Sequence, residues 1–214
     1  PYVSMRPDGL YNFWQDQTHV RGIVRRTTLD SYRTDNPQWE TVLDIDALAQ
    51  AENANWVYQG MSCLLPEETR CLVYLSDGGR DANVVREFDT VHGRFAEGGF
   101  HLPEGKQTVT WLDADTILVA RDWGPGTMTE SGYPFVVKRL RRGQSLEQAE
   151  ELYRGTPQDV RVYPFVLRDA SGTVHAIGAG RGINFFDNEY VVFTERGNVP
   201  LPIPRKASPS AIVD

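Results

Sequence analysis

The sequence predicts an all-β fold built from about four four-stranded antiparallel blades of a β-propeller. Three observations lead there. Apolar residues fall in short runs or alternate, the period of strands rather than helices. Nineteen glycines and 13 prolines punctuate the 214 residues, which suits many short elements. Finally, one plan of strand, tight turn, strand, looser loop, strand and closing strand recurs four times.

The opening hairpins read Tyr2–Met5 and Leu10–Trp14 around Arg6-Pro7-Asp8-Gly9, then Gly60–Leu65 and Arg70–Ser76 around Pro66–Thr69. Next come Thr108–Leu112 and Thr116–Arg121 around Asp113-Ala114-Asp115, and Val162–Arg168 and Thr173–Gly178 around Asp169-Ala170-Ser171-Gly172. Proline, aspartate and glycine stand where a reversal needs a preset φ, a side-chain cap or a positive φ. The third strands are Gly22–Arg26, Asn83–Phe88, Phe135–Arg139 and Tyr190–Phe193; three carry an apolar pair followed by a basic residue. Weaker closing strands are expected at Trp39–Ile45, Gly99–Pro103, Glu150–Tyr153 and Val199–Pro204.

The first turns start at Pro7, Pro66, Asp113 and Asp169, at intervals of 59, 47 and 56 residues. A sandwich also has short strands but no reason to repeat a four-strand unit. The expected blades are 1–52, 53–104, 105–157 and 158–204, with 205–214 as a tail or linker. Asp46–Glu52 and Ser145–Gln148 are each read as a short helical turn or a plain blade connection. The prolines of Pro200–Pro209 allow an outer edge strand or the start of a linker.

Composition narrows the function classes. Lys+Arg 22 against Asp+Glu 29 gives a net charge of -7, which argues against a nucleic-acid partner. No apolar run reaches the ~18 residues of a membrane span, so no membrane partner is expected. The chain opens at Pro1 without a basic-then-apolar signal, which reads as a fragment or processed product. Cys63 and Cys71 flank a hairpin turn and are read as free buried thiols of a reducing, cytoplasmic compartment; a cross-strand bridge is the alternative.

No chemistry-bearing motif emerges. His19, His92, His101 and His175 lack ligand spacing, so no metal and no cofactor are assigned. Gly60-Met61-Ser62-Cys63-Leu64 and Gly143-Gln144-Ser145-Leu146-Glu147 both lack the second glycine of a nucleophile elbow. Gly178-Ala179-Gly180-Arg181-Gly182 has no strand–loop–helix context for phosphate and is read as an inter-strand loop. Asp44/Asp46 and Asp113/Asp115 are read as caps of backbone amides rather than paired catalytic acids. Arg25-Arg26 and Lys138–Arg142 are read as a solvated face or as partners of neighbouring-blade acids. The five tryptophans, Trp14, Trp39, Trp56, Trp111 and Trp123, are read as blade-to-blade packing. No residue is assigned a catalytic, cofactor-binding or metal role.

Several strings in order resemble the propeller of the prolyl oligopeptidase family of serine peptidases. They are Asn12–Asp16, Arg25–Leu29, Trp39–Leu48, the distinctive LSDGGRDANVVREFD of Leu75–Asp89, Gly99–Glu104, Ser131–Pro134 and Arg142-Gly143. The resemblance implies a seven-bladed ring, of which this chain would supply about four blades. It also implies an α/β-hydrolase domain of the same parent chain, carrying serine, aspartate and histidine, and short peptides cut after proline as substrates. The expectation is a non-catalytic propeller segment that gates peptide access to that domain. A stand-alone protein-interaction module is the alternative, and an independent enzyme has little support. The isolated segment is expected to pair through open blade faces or to aggregate.

Overall fold

A computed structural model describes residues 2–209, which divide into two compact units at residue 104. In the first unit, β1 (Ser4–Arg6), β2 (Gly9–Trp14), β3 (Ile23–Thr27) and β4 (Glu40–Asp44) form an antiparallel sheet in that order. Asp8 fixes the first turn by accepting from Tyr11 Oη at 2.7 Å and Arg26 Nη1 at 2.8 Å. Between β3 and β4 lies a single helical turn, α1 (Leu29–Tyr32), which the strand-type periodicity hides. The Thr28 side chain caps it by accepting from Ser31 N. A longer helix, α2 (Ile45–Glu52), connects this sheet to the next, so the segment is both helix and blade connection. Its N-cap is Asp44, whose Oδ1 accepts from Ala47 N at 2.9 Å.

The second sheet contains β5 (Trp56–Cys63), β6 (Arg70–Asp77), β7 (Asn83–Asp89) and β8 (Arg94–Phe95), while β9 (His101–Gly105) also pairs with β7. The closing position expected at Gly99–Pro103 is thus shared between two short strands. The buried Glu87 explains the arrangement. Its side chain is 1% exposed, pairs with Arg70 at 2.6 Å, and accepts from Phe100 N at 2.9 Å. Its backbone N–H donates to Phe100 O, and its carbonyl accepts from Ala96 N. A carboxylate buried this deeply requires such partners, and supplying them draws the returning chain against β7.

Cys63 and Cys71 face each other across β5 and β6 and are joined by a disulfide, which corrects the free-thiol reading. Their pairing depends on the strand register around the Pro66–Thr69 turn. The core of this unit packs Tyr11, Val24, Val42, Leu43 and Ile45 against Val73, Leu75 and Phe88. Phe13 stacks on Tyr58 with ring centroids 4.9 Å apart.

In the second unit, β10 (Gln107–Asp113), β11 (Thr116–Arg121), β12 (Val136–Arg141) and β13 (Glu150–Arg154) form one antiparallel sheet. Leu146–Gln148 makes a short 3₁₀ turn before β13, with Ser145 N donating to Gln148 Oε1 at 2.8 Å. The last sheet is β14 (Arg161–Arg168), β15 (Val174–Gly182), β16 (Asn188–Thr194) and β17 (Gly197–Leu201). Pro200 lies in β17, an edge strand of this sheet, as its missing N–H permits. Residues 202–209 follow without further strand, and the remainder of the expected 205–214 tail lies outside the described residues. Leu118, Ala120, Val136 and Val137 pack with Val162 and Ala179 in the core.

The Gly178–Gly182 segment is strand, not loop. Gly178 pairs with Phe165 and Gly180 with Tyr163 across β14 and β15. Both aromatic rings lie over the glycine backbone. A Cβ at either glycine would stand 2.5 Å from the facing ring, and at Gly178 it would also collide with the Val191 carbonyl oxygen. The glycines therefore make room for aromatic packing, not for phosphate. Gly178→Ala is expected to lower unfolding free energy by about 2 kcal/mol in denaturant titration; a loss below about 0.5 kcal/mol contradicts this packing. Replacing both cysteines by serine should cost about 2 kcal/mol by the same measurement. Thiol titration of the unfolded, unreduced wild type should find no free thiol.

Candidate functional site

The aspartates of the tight turns serve mainly as caps. Asp16 Oδ1 accepts from Thr18 N at 2.8 Å and His19 N at 2.7 Å. Asp89 Oδ1 accepts from Val91 N and His92 N, and Asp169 Oδ1 from Ser171 N and Thr173 N. In each turn a histidine nitrogen stands close to the same carboxylate: His19 at 3.1 Å, His92 at 2.7 Å and His175 at 2.8 Å.

The third turn brings serine, aspartate and histidine together, so its order decides its chemistry. Ser171 Oγ donates to Asp169 Oδ1 at 2.6 Å, and His175 Nε2 lies against Asp169 Oδ2. The carboxylate stands between the other two groups. A nucleophilic serine needs the imidazole in that central place to receive its proton. The cluster is a hydrogen-bonded turn. Ser62 lies within β5 and Ser145 at the head of a 3₁₀ turn, neither on a strand-to-helix elbow. Among the described residues, no group of three or more His, Cys, Asp or Glu side chains is placed to hold a metal ion.

The remaining acids follow the same logic. Asp46 accepts from Arg21 N and Gly22 N, Asp113 from Asp115 N, and Asp115 from Arg142 Nε. The ion pairs of the basic clusters lie within their own sheet rather than on a neighbouring blade, while Arg25 and Lys138 rest on tryptophan rings instead. Arg26 bridges Asp8 and Glu40, and Arg139 meets Glu150. Cross-strand neighbours are simply nearer than another sheet.

Three tryptophans do more than pack between sheets. Arg25 lies between Trp14 and Trp39, its guanidinium carbon 4.2 Å from each ring centroid, and Arg25 Nε donates to Asn12 Oδ1 at 3.0 Å. Burial holds its pKa below the usual arginine value. In the second unit Trp123 Nε1 donates to Val136 O at 3.1 Å, and Lys138 Nζ stands 4.7 Å from the ring centroid. Beside it Arg121, Asp122, Leu146 and Glu147 complete the lining of a cleft of ≈ 210 Å³. This is the candidate binding site. The sequence reading missed it because Arg121 stands at the end of an apolar run, and nothing local marks it as buried.

Comparison with known proteins gives the fold its context. Residues 4–206 match the family described as prolyl oligopeptidase, N-terminal β-propeller domain. The chain belongs to that family. An uncharacterized peptidase of Sinorhizobium fredii is 51% identical over 209 residues, spanning 95% of this chain and 29% of the relative. An uncharacterized peptidase of Rickettsia prowazekii is 32% identical, covering 94% of this chain and again 29% of the relative. The structure of a post-proline cleaving enzyme from Rickettsia typhi superimposes with a TM-score of 0.89 at 27% identity, over 99% of this chain and 32% of that one. The chain thus spans less than a third of each of these relatives.

The turn carboxylates make a pH prediction. Asp16 is pulled down to about 2, chiefly by the His19 amide, and Asp169 is lowered chiefly by the Ser171 hydroxyl. A carboxylate lowered in the folded state contributes stability above its unfolded pKa of 3.8 and loses it as pH falls through the folded value. Asp16→Asn should therefore be less stable than wild type at pH 7, with the difference shrinking between pH 3.8 and about 2. Urea titrations across that range check it; a pH-independent difference contradicts the assignment.

Proposed function

We propose that this chain is the non-catalytic propeller segment of a prolyl oligopeptidase-type serine endopeptidase. In this reading it restricts access to an α/β-hydrolase domain of the same parent chain, admitting short peptides and excluding folded proteins. The observation that carries the reading is the family match over residues 4–206, in a chain that covers 29% of peptidases about three times as long. The carboxylate-centred arrangement of Ser171, Asp169 and His175 supports a filter that performs no chemistry. Isolated from its parent, the segment self-associates through blade faces that the remaining blades would cover. The Cys63–Cys71 bridge favours an oxidising compartment over the cytoplasm expected from the sequence.

The filter is tested on the complete protein with two substrates carrying the same proline bond, one in an octapeptide and one in a long unfolded polypeptide. Gating predicts cleavage of the first and at least about a hundredfold lower kcat/KM for the second. Loosening the last sheet with Gly178→Val should raise the relative rate on the long substrate. Equal rates in the wild type would overturn gating.

A further inference from the structure

Arg121, the last residue of β11, makes no direct ion pair among the described residues; the opposing charge it feels is that of Asp122. It is 7% exposed, its Nε donates to Asp122 O at 3.3 Å, and its Nη1 has no hydrogen-bond partner. Burial lowers the guanidinium pKa from its ordinary value. Across β12, Lys138 is half-buried and leans on the Trp123 ring. The neighbouring acids of this sheet are taken by other arginines: Glu150 by Arg139, Glu151 by Arg154 and Asp115 by Arg142. Arg121 and Lys138 thus make no direct ion pair among the described residues and feel acids only at longer range, Asp122 for Arg121 and the cross-strand Glu151 for Lys138.

The two acids lining the cleft carry charge, but their oxygens are engaged by neutral donors rather than by Arg121 or Lys138. Asp122 Oδ1 accepts from Gly124 N at 2.9 Å. The Glu147 carboxyl is held below the usual glutamate range by the Ser145 hydroxyl and its own amide. A buried charged donor left without an acceptor is costly. A guanidinium fork is suited to a carboxylate, and an indole face can carry the group next to it. The ≈ 210 Å³ of the cleft suits a single residue rather than a folded partner.

We propose that the cleft binds a peptide carboxylate, C-terminal or on an Asp or Glu side chain, between Arg121 and Lys138 with the adjoining residue against Trp123. The choice of peptide as ligand rests on the peptidase reading above; the anion preference rests on the cleft itself. The test is calorimetric titration of the complete protein with N-acetyl-Ala-Pro-Ala acid, its C-terminal amide, and an amide containing one internal aspartate. At least one of the two carboxylate peptides should bind at least about tenfold more tightly than the plain amide. Whichever does so identifies the source of the carboxylate. That ratio should fall to about one in Arg121→Gln and in Lys138→Gln. The second variant changes a half-buried side chain and keeps the test valid if loss of Arg121 prevents folding. Equal affinities for all three peptides, or no binding of any, would overturn the site. Hydrolysis of proline peptides without carboxylate preference would overturn the site and leave the peptidase reading standing; carboxylate preference without hydrolysis would do the reverse.

Discussion

A four-stranded antiparallel sheet has two faces and cannot bury either alone, and much of this chain follows from that constraint. The sequence answers it with adjacent apolar residues in the third strands. Ile23 and Val24 point to opposite faces of β3 and both are buried; Val136 and Val137 do the same in β12. Alternation alone would cover one face. Within the first unit, the core joins side chains of two sheets and α2; within the second, it joins side chains of the last two sheets. The basic residue that follows each apolar pair is half-buried mid-strand, and a buried residue, Thr27, Glu87 or Leu140, comes after it in each strand.

Charge is used locally to hold this frame. Asp8, Asp16, Asp44, Asp89 and Asp169 each satisfy donors at a turn or helix start, and Glu87 does so inside the second sheet. Loops leave backbone N–H groups unpaired, and here the aspartate side chains reach them from two to four residues away. The acidic excess is therefore partly structural. Against that background the arginines without carboxylates stand out. Arg25 is held between two indole faces, whereas Arg121 ends beside an open cleft.

The turns and most strands were legible because their signals are local: Pro7-Asp8, Asp113–Asp115 and Asp169–Gly172 announce reversals wherever they occur. What escaped reading depends on partners distant in sequence. The Cys63–Cys71 bridge follows from register, and Gly178 and Gly180 make sense only once Phe165 and Tyr163 are seen opposite them. Nothing local in REFD marks Glu87 as buried; Phe100 and Arg70, placed around it by the fold, do so. The candidate site was illegible for a related reason. Burial of Arg121 is a property of the folded sheet, and the neighbouring string Lys138–Arg142 draws attention to charges that the structure has mostly paired.

The central claim is that this propeller shapes access while the chemistry belongs to other residues of the parent protein. The most direct measurement is fluorophosphonate labelling of the complete protein, followed by mass mapping of the modified serine. The account predicts one labelled serine, lying outside these 214 residues. A label on Ser171, or on any other serine of this chain, would contradict it.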